Sequence, residues 1–320
     1  MSKKRINPPV AYACYNKDLK IRMSSTSGGM FTIIAEYIFK MNGVVYGAAF
    51  DDEFNVCHKR VTSSSELEAL RGSKYPQSRM TNVYKNIKKD LENGPVLFVG
   101  TPCQNVALSK YIDIENENLW TIDFVCHGVG SPGIWSEYLD GYEKRDKIKS
   151  IFFKSKDVSW KKWRFKVEYV NKTKQIRGYM NPYMRSFLTY TNIRPSCYEC
   201  HFKGIIRNTD FTISDCWGIG EEDKELNDDK GLSALLIHTE RGLRLFKSVQ
   251  DQIEKKQYDP YILMEGNFTA FRSVKKPDDR KAFFEYAQTH DFKKALKKYY
   301  VPNILGWLKY FLLCLIGEEK

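Results

Sequence analysis

The stretch Pro95-Val-Leu-Phe-Val-Gly-Thr-Pro-Cys-Gln104 reads as a short apolar run that stops at a turn, presents a thiol and leads into a helix, Val106 to Tyr111. A run of this length bounded by turn residues is the pattern of a strand buried on both faces, as in a parallel sheet. The pattern then repeats. Leu119-Trp-Thr-Ile-Asp-Phe-Val125 is followed at once by Cys126-His-Gly-Val-Gly-Ser-Pro132 and a helix, Ile134 to Tyr142. Ligands of open parallel sheets bind beyond the carboxyl ends of the strands. Cys103 and Cys126 both fall at that rim, and two neighbouring strands would bring them together.

Working outward toward the N-terminus, Val10 to Tyr15 reads as a first strand and Met30 to Met41 as a helix, with Phe31, Ile34, Ala35 and Ile38 on its apolar face. Between them Ser24-Ser-Thr-Ser-Gly-Gly29 places hydroxyl residues where an N-cap belongs. Backbone N–H groups at a helix N-terminus, with glycines allowing close approach, also make a phosphate seat. Capped helix and phosphate seat both fit. Val44 to Phe50 is the next strand, giving a β-α-β start. Leu70-Arg-Gly-Ser-Lys-Tyr-Pro-Gln-Ser78 sets a cation on each side of a Gly-Ser turn, fit to clamp a second phosphate or simply to connect elements. Val83 to Leu91 reads as a surface helix.

From about residue 148 the rhythm changes. Ser150 to Phe153, Arg164 to Val170 and Gln175 to Tyr179 alternate apolar and polar residues as half-exposed antiparallel strands do. A helix, Pro182 to Tyr190, precedes Cys197-Tyr-Glu-Cys200; Asp210 to Asp215 and Leu232 to His238 read as strands, and Glu240 to Ile253 as a helix. The fold class is therefore α/β, with a mixed, largely parallel sheet and flanking helices, plus a smaller antiparallel α+β part carrying the Cys-x-x-Cys.

The 320 residues carry a net charge of +12 and are 42% hydrophobic, ample for a packed core and suited to an acidic partner. The basic residues are scattered in short clusters without a zinc-finger, helix-turn-helix or RNA-recognition pattern, so no nucleic-acid partner is assigned. The positive N-terminus lacks the apolar run of a secretory signal, which predicts a cytoplasmic protein. In a reducing compartment the eight cysteines serve as free, metal-bound or catalytic thiols rather than disulfides. Cys14, Cys57 and Cys314 have no thiol neighbour in the pattern. The apolar tail from Ile304 to Ile316, with Trp307 and lysines before it, falls short of the roughly 20 residues that span a bilayer. Peripheral contact with the inner face of the membrane and a docked terminal helix both fit it.

Cys103, Cys126, Cys197 and Cys200 thus form a candidate set of four. A [4Fe–4S] cluster takes four thiolates that need not be consecutive; structural zinc takes the same set, usually as two closely spaced pairs. Cys103, at a helix start, sits where the helix dipole favours a thiolate.

Seven blocks in order, Ser25-Thr-Ser-Gly-Gly29, Arg71-Gly-Ser-Lys-Tyr75, Gly100-Thr-Pro-Cys-Gln104, Val125-Cys-His-Gly128, Pro195 to Gly204, Asp215-Cys-Trp-Gly218 and Asp229-Lys-Gly231, resemble the coenzyme F420 hydrogenase/dehydrogenase beta-subunit family over about residues 8 to 290. The resemblance implies an iron–sulfur flavoprotein oxidoreductase passing electrons between a [4Fe–4S] cluster and FAD and on to an organic acceptor such as coenzyme F420 or a relative of it. The four cysteines become the implied cluster ligands. Ser25, Thr26, Ser27, Gly28, Gly29, Arg71, Gly72, Ser73, Lys74, Tyr75 and Thr101 become the implied FAD-binding residues. His127, beside a ligand, would tune the cluster, relay protons or make a structural hydrogen bond. Residues 1–147 would be the FAD-binding α/β part, 148–290 the antiparallel α+β part that brings the Cys-x-x-Cys, and 291–320 a basic and apolar helical tail. No closely spaced ferredoxin-like cysteine run occurs, so electrons would come from a ferredoxin-like donor or a redox partner subunit. The alternative is a non-redox scaffold or partner-binding protein of the same fold, with zinc or free thiols, acting in surface-polysaccharide biosynthesis.

Overall fold

The computed structural model describes residues 4–112, 115–141, 145–219, 223 and 225–301, so the apolar tail and Cys314 lie outside the described residues. In chain order the elements begin with β1 (Arg5–Asn16), α1 (Leu19–Ser24), α2 (Met30–Lys40), β2 (Val44–Phe50), β3 (Val56–Val61) and α3 (Val83–Asp90). The two strand–thiol–helix units follow as β4 (Val96–Val99), α4 (Pro102–Tyr111), β5 (Leu119–Phe124) and α5 (Pro132–Asp140). Then come β6 (Ile148–Ser155), β7 (Arg164–Tyr169), β8 (Thr173–Arg177) and α6 (Pro182–Leu188). The chain closes with β9 (Phe211–Asp215), β10 (Ser233–Thr239), α7 (Glu240–Ser248), β11 (Ile253–Tyr258), α8 (Pro260–Met264), α9 (Arg280–His290) and α10 (Phe292–Tyr300).

One eight-stranded sheet runs β11-β1-β10-β9-β5-β4-β2-β3. Its centre is parallel, β9 to β5 to β4 to β2, and the strands outside it pair antiparallel. The central strands are apolar throughout because helices cover both faces. On one face α2 lays Met30, Ile33, Ile34 and Ile38 against Leu97, Ile122 and Leu235. On the other, α3 and α4 bury Ile87 and Leu108 against Tyr46 and Phe98. The smaller sheet, β6-β7-β8, is antiparallel and packs Phe153 and Phe165 around Trp135 and Tyr183, with α9 and α10 closing that core.

Several elements depart from the local reading. β1 lies between β10 and β11, antiparallel to both and separated from β2 by four intervening strands, so the start is not an adjacent β-α-β unit. The helix expected to reach Ile253 ends at Ser248, and Ile253-Glu-Lys-Lys-Gln-Tyr258 is an edge strand on β1. Its exposed lysines suit an edge, where charge discourages further pairing, but they also resemble a polar helix face. β9, β10 and β11 return to the main sheet, so residue 148 marks where the small sheet starts rather than where the large one ends.

A buried ion pair locks this return. Asp210, just before β9, receives Arg241 Nε at 2.8 Å and Nη2 at 2.7 Å, together with the Thr239 hydroxyl at 2.8 Å and the Thr121 N–H at 3.0 Å. Arg241 also donates to the Glu117 and Leu119 carbonyls and stacks on Trp120 at 4.2 Å.

Candidate functional site

The carboxyl ends of β4, β5 and β9 open into a cleft of about 290 Å³, lined there by Val99, Phe124 and Ile213 to Asp215. Two loops form its first wall. Ser25, Thr26, Ser27 and Gly29 line it from one side, and Arg71 to Tyr75 from the other, with Thr101 at the end of β4. Thr26 Oγ1 accepts both the Ser73 N–H (2.8 Å) and the Ser73 hydroxyl (3.1 Å), which ties the loops together. Gly28 lies behind this wall: a Cβ there would stand 2.5 Å from the Cys14 carbonyl oxygen, so only glycine lets the loop lie flat on β1.

The hydroxyls of the first loop do not cap α2. Ser25 donates to the Ile21 carbonyl and Ser27 to the Leu232 carbonyl, while the N-cap is Gly29 in the left-handed region (φ 86°) with no side-chain bond to the first turn. This corrects the capped-helix expectation and leaves the helix N-terminus opening on the cleft. Main-chain donors there, with the positive end of the helix dipole, favour an anion. Lys156, from just beyond β6, pins the loop from behind, donating to the carbonyls of Arg22 (2.7 Å), Ser27 (2.7 Å) and Lys230 (2.6 Å). Arg22 in turn holds Asp228 through both Nη atoms, at 3.0 and 2.6 Å.

Two cations face the cleft. Arg71 donates to Thr32 Oγ1 at 3.1 Å, and Lys74 donates to the carbonyls of Ala69 (3.0 Å), Arg71 (2.7 Å) and Gly72 (3.3 Å). Burial in the wall lowers Lys74 to about 7, and burial together with the Arg22 charge lowers Lys156 to about 7. A lysine held only by carbonyls is a cation without its counter-charge, which an anionic group in the cleft would supply.

Cys126 and His127 also line the cleft. Cys126 belongs to a group of four thiols drawn from three parts of the chain. It interacts electrostatically with Cys197 and Cys103, and Cys197 with Cys103 and Cys200. Gly128 makes the approach possible: it sits at φ 121°, and a Cβ on it would lie 3.3 Å from Cys197 Cβ. Several donors stand close to the sulfurs. The Gly128 N–H donates to Cys126 Sγ at 3.4 Å, Val129 donates to Cys197, and Thr101 Oγ1 lies 3.0 Å from Cys103 Sγ. Lys203 donates to the Cys126 carbonyl at 2.7 Å and to that of Thr269 at 2.8 Å. As free thiols the buried members are strongly neutral: burial pushes Cys126 up to about 12 and raises Cys197.

Among the described residues no three His, Cys, Asp or Glu side chains converge at the spacing of a single metal ion. Zinc would need its sulfurs about 2.3 Å from one point. In a cubane each of four irons takes one thiolate, so the sulfurs stand farther apart. Cys103 lies in the first turn of α4, which starts at Pro102 rather than Val106, because Thr101 and Gln104 form a capping box. Cys14 and Cys57 are buried elsewhere, and Cys216 is buried beneath Trp217 in the core of that side.

Three ring side chains, His58, Trp217 and His127, also line the cleft. His58 lines the cleft with Nε2 donating to the Val99 carbonyl (3.0 Å) and Nδ1 accepting the Ser78 hydroxyl (2.5 Å). Burial lowers it to about 4, so it is a neutral, oriented imidazole. No local pattern marks it. Trp217 presents an indole to the cleft, backed by Trp160 at 4.5 Å and by Lys154 Nζ at 4.7 Å; Lys154 pairs with Asp215 at 2.5 Å. Trp217 and Asp215 do stand in the family-like block Asp215 to Gly218. His127 is lowered to about 4 by burial and by the Lys203 charge, and meets the edge of Phe268 at 6.4 Å.

Among the described residues no helix is long and apolar enough to cross a membrane. Comparison with curated proteins finds no match. In structure the chain is similar to a chain of the F420-reducing [NiFe] hydrogenase complex from Methanosarcina barkeri, at 14% identity and a TM-score of 0.56, over 89% of this chain and 94% of that one. Two family models match, both describing the beta subunit of coenzyme F420 hydrogenase/dehydrogenase: the model of its N-terminal part over residues 11–85 and the model of its C-terminal part over residues 94–260. With its thiols gathered beside a cleft walled by those same segments, the chain belongs to the coenzyme F420 hydrogenase/dehydrogenase beta-subunit family.

Proposed function

We propose that this redox protein is an iron–sulfur flavoprotein oxidoreductase in which Cys103, Cys126, Cys197 and Cys200 hold a [4Fe–4S] cluster and the adjoining cleft holds FAD. One observation carries the reading: Cys126 lines the same cleft as the uncapped start of α2 and the cations Arg71 and Lys74. When bound, the cluster supplies one-electron transfer and the flavin hydride transfer. The first-turn N–H groups of α2, Arg71 and Lys74 would hold the FAD diphosphate, with Thr26, Ser73 and Thr101 shaping its bed. Lys156 keeps the Ser27 carbonyl turned away from that bed. His58 and His127, both neutral, bring no charge to the cleft. The acceptor is an organic hydride acceptor of the coenzyme F420 class, and the donor a ferredoxin-like protein or partner subunit.

Protein purified without oxygen is expected to be yellow-brown, with about four iron and four acid-labile sulfide per chain and bound FAD. A colourless, iron-free preparation overturns the proposal, and zinc without sulfide favours the non-redox scaffold.

Lys74 makes FAD affinity pH-dependent. A diphosphate favours the charged ammonium, so affinity is greatest below the free protein's value of about 7. It weakens above that pH, by up to about tenfold per unit. Protein without flavin shows the opposite trend from about pH 7 upward: Lys74 and Lys156 have lost protons that the unfolded chain keeps, so stability rises with pH. Flavin fluorescence titration checks the first trend and thermal melts the second. Lys74→Gln should flatten much of the pH dependence of affinity; an unchanged profile in that variant would remove Lys74 from the site.

A further inference from the structure

Lys203 joins three segments of chain at the thiols. It lies in the turn that follows Cys197-Tyr-Glu-Cys200 and is half-buried. Its Nζ donates to the Cys126 carbonyl at 2.7 Å and to the Thr269 carbonyl at 2.8 Å. The turn is pinned to the segment after Thr269 by the Gly204 N–H, which donates to the Ala270 carbonyl at 2.7 Å, and by the Cys200 N–H, which donates to Ser273 Oγ at 2.9 Å. The ammonium is thus held against the backbone of one proposed ligand and close in the chain to two others. Its charge acts on Cys126, Cys197 and Cys200.

That charge lacks a counter-charge. Among the described residues no carboxylate pairs with Lys203, whose two partners are neutral carbonyls. The next cation along the chain differs: Arg207 Nε faces Asp123 Oδ2 at 3.9 Å, and its guanidinium also donates to the Phe202 carbonyl. A cross-link between two carbonyls needs a donor and not a full charge, and burying an ammonium among carbonyls alone costs free energy. Negative sulfur beside it would offset that cost.

We infer that Lys203 sets the reduction potential of the [4Fe–4S] cluster, holding it above the value that the four thiolates alone would give. The inference rests on the cluster reading above. Reduction takes one electron from a one-electron donor and makes or breaks no bond, so the reduced cluster carries one more negative charge than the oxidised one. A fixed cation beside the sulfurs favours the more negative form, and a partly buried one is screened little by salt. The Gly128 N–H on Cys126 Sγ acts in the same direction as a dipole, and Lys203 adds the full charge.

The test is an anaerobic redox titration of the full chain with dithionite and mediators, following the reduced cluster by electron paramagnetic resonance, with iron and sulfide measured on each preparation. Lys203→Gln keeps a donor and removes the charge. At a given potential its ratio of reduced to oxidised cluster should fall by about tenfold or more, a midpoint lower by at least about 59 mV. Lys203→Arg, which keeps the charge, should stay within about threefold of the parent. So should Lys174→Gln, which removes one charge from the edge strand of the small sheet, within about threefold as well. If Lys203→Gln loads no iron, Lys203→Met takes its place. Loss of iron from both overturns the inference, since Lys203 then serves folding. An iron-loaded charge-removing variant with a midpoint at or above the parent's overturns it too, as does an equal shift in Lys174→Gln. A parent without iron fails the cluster reading instead, so iron content tells the two failures apart.

Discussion

Replacing Cys126 with Ser is expected to abolish the broad visible absorption of the anaerobic protein and reduce its iron from about four per chain to near zero. Cys126 is the proposed ligand with most invested in it: it faces the cleft, takes the Gly128 N–H at 3.4 Å and lies beside Lys203. A serine hydroxyl there binds iron poorly and leaves those donors aimed at the wrong atom. Cys197→Ser and Cys200→Ser should behave alike, because both sit on a turn held by the Arg194 carbonyl and by Ser273. Cys103→Ser should be milder, with residual iron, because that position is exposed and solvent can take the vacated place. Cys57→Ser, on β3 and away from the other thiols, should keep wild-type iron and colour. Iron, sulfide and visible spectra on this series decide the matter. Full iron in Cys126→Ser would remove that residue from the ligand set and, with it, the link between cluster and cleft.

The second large effect is on stability. Arg241→Met should destabilise the fold by about 3–5 kcal/mol, the cost of leaving a buried carboxylate without its cation. Asp210 is 1% exposed, and although it also feels the charge of Arg5, Arg241 gives it two short charge-assisted hydrogen bonds. The pair is also the joint by which the chain re-enters the main sheet at β9, so its loss loosens the β5–β9 pairing from which Phe124 and Ile213 reach the cleft. Denaturant unfolding of Arg241→Met, Asp210→Leu and the double variant measures it. The double variant should recover much of the loss, since it removes the buried carboxylate together with its guanidinium. A midpoint for Arg241→Met within error of the parent would show that the pair carries no stability.

Much of this architecture is legible in local pattern. β2, β4 and β5 appear as apolar runs between turn residues, and α2 as an amphipathic helix, because burial on two faces or on one stripe writes itself into neighbouring residues. The strand-end positions of Cys103 and Cys126 follow from the same pattern. β11 has no counterpart in the local reading, whose helix runs to Ile253, because an edge strand with lysines outward has no apolar alternation strong enough to mark it. The hydroxyls before α2 mislead because residue type alone suggests a cap, whereas Ser25 and Ser27 spend their bonds on carbonyls of the preceding turn and of the strand beside them.

The family and the short blocks that carry it, among them Ser25 to Gly29, Arg71 to Tyr75 and Cys197-Tyr-Glu-Cys200, are what the amino-acid order determines by itself, since each is legible within a few residues. The order of strands, the meeting of Cys103, Cys126, Cys197 and Cys200, the place of β1 between β10 and β11, and the reach of Lys156 and His58 to the cleft were decided only in three dimensions. These depend on pairings between residues about 20 to more than 200 positions apart, as from Val96 to Leu119, His58 to Val99 or Arg22 to Gly231. Nothing in the neighbourhood of either partner encodes the other; the common core they bury does.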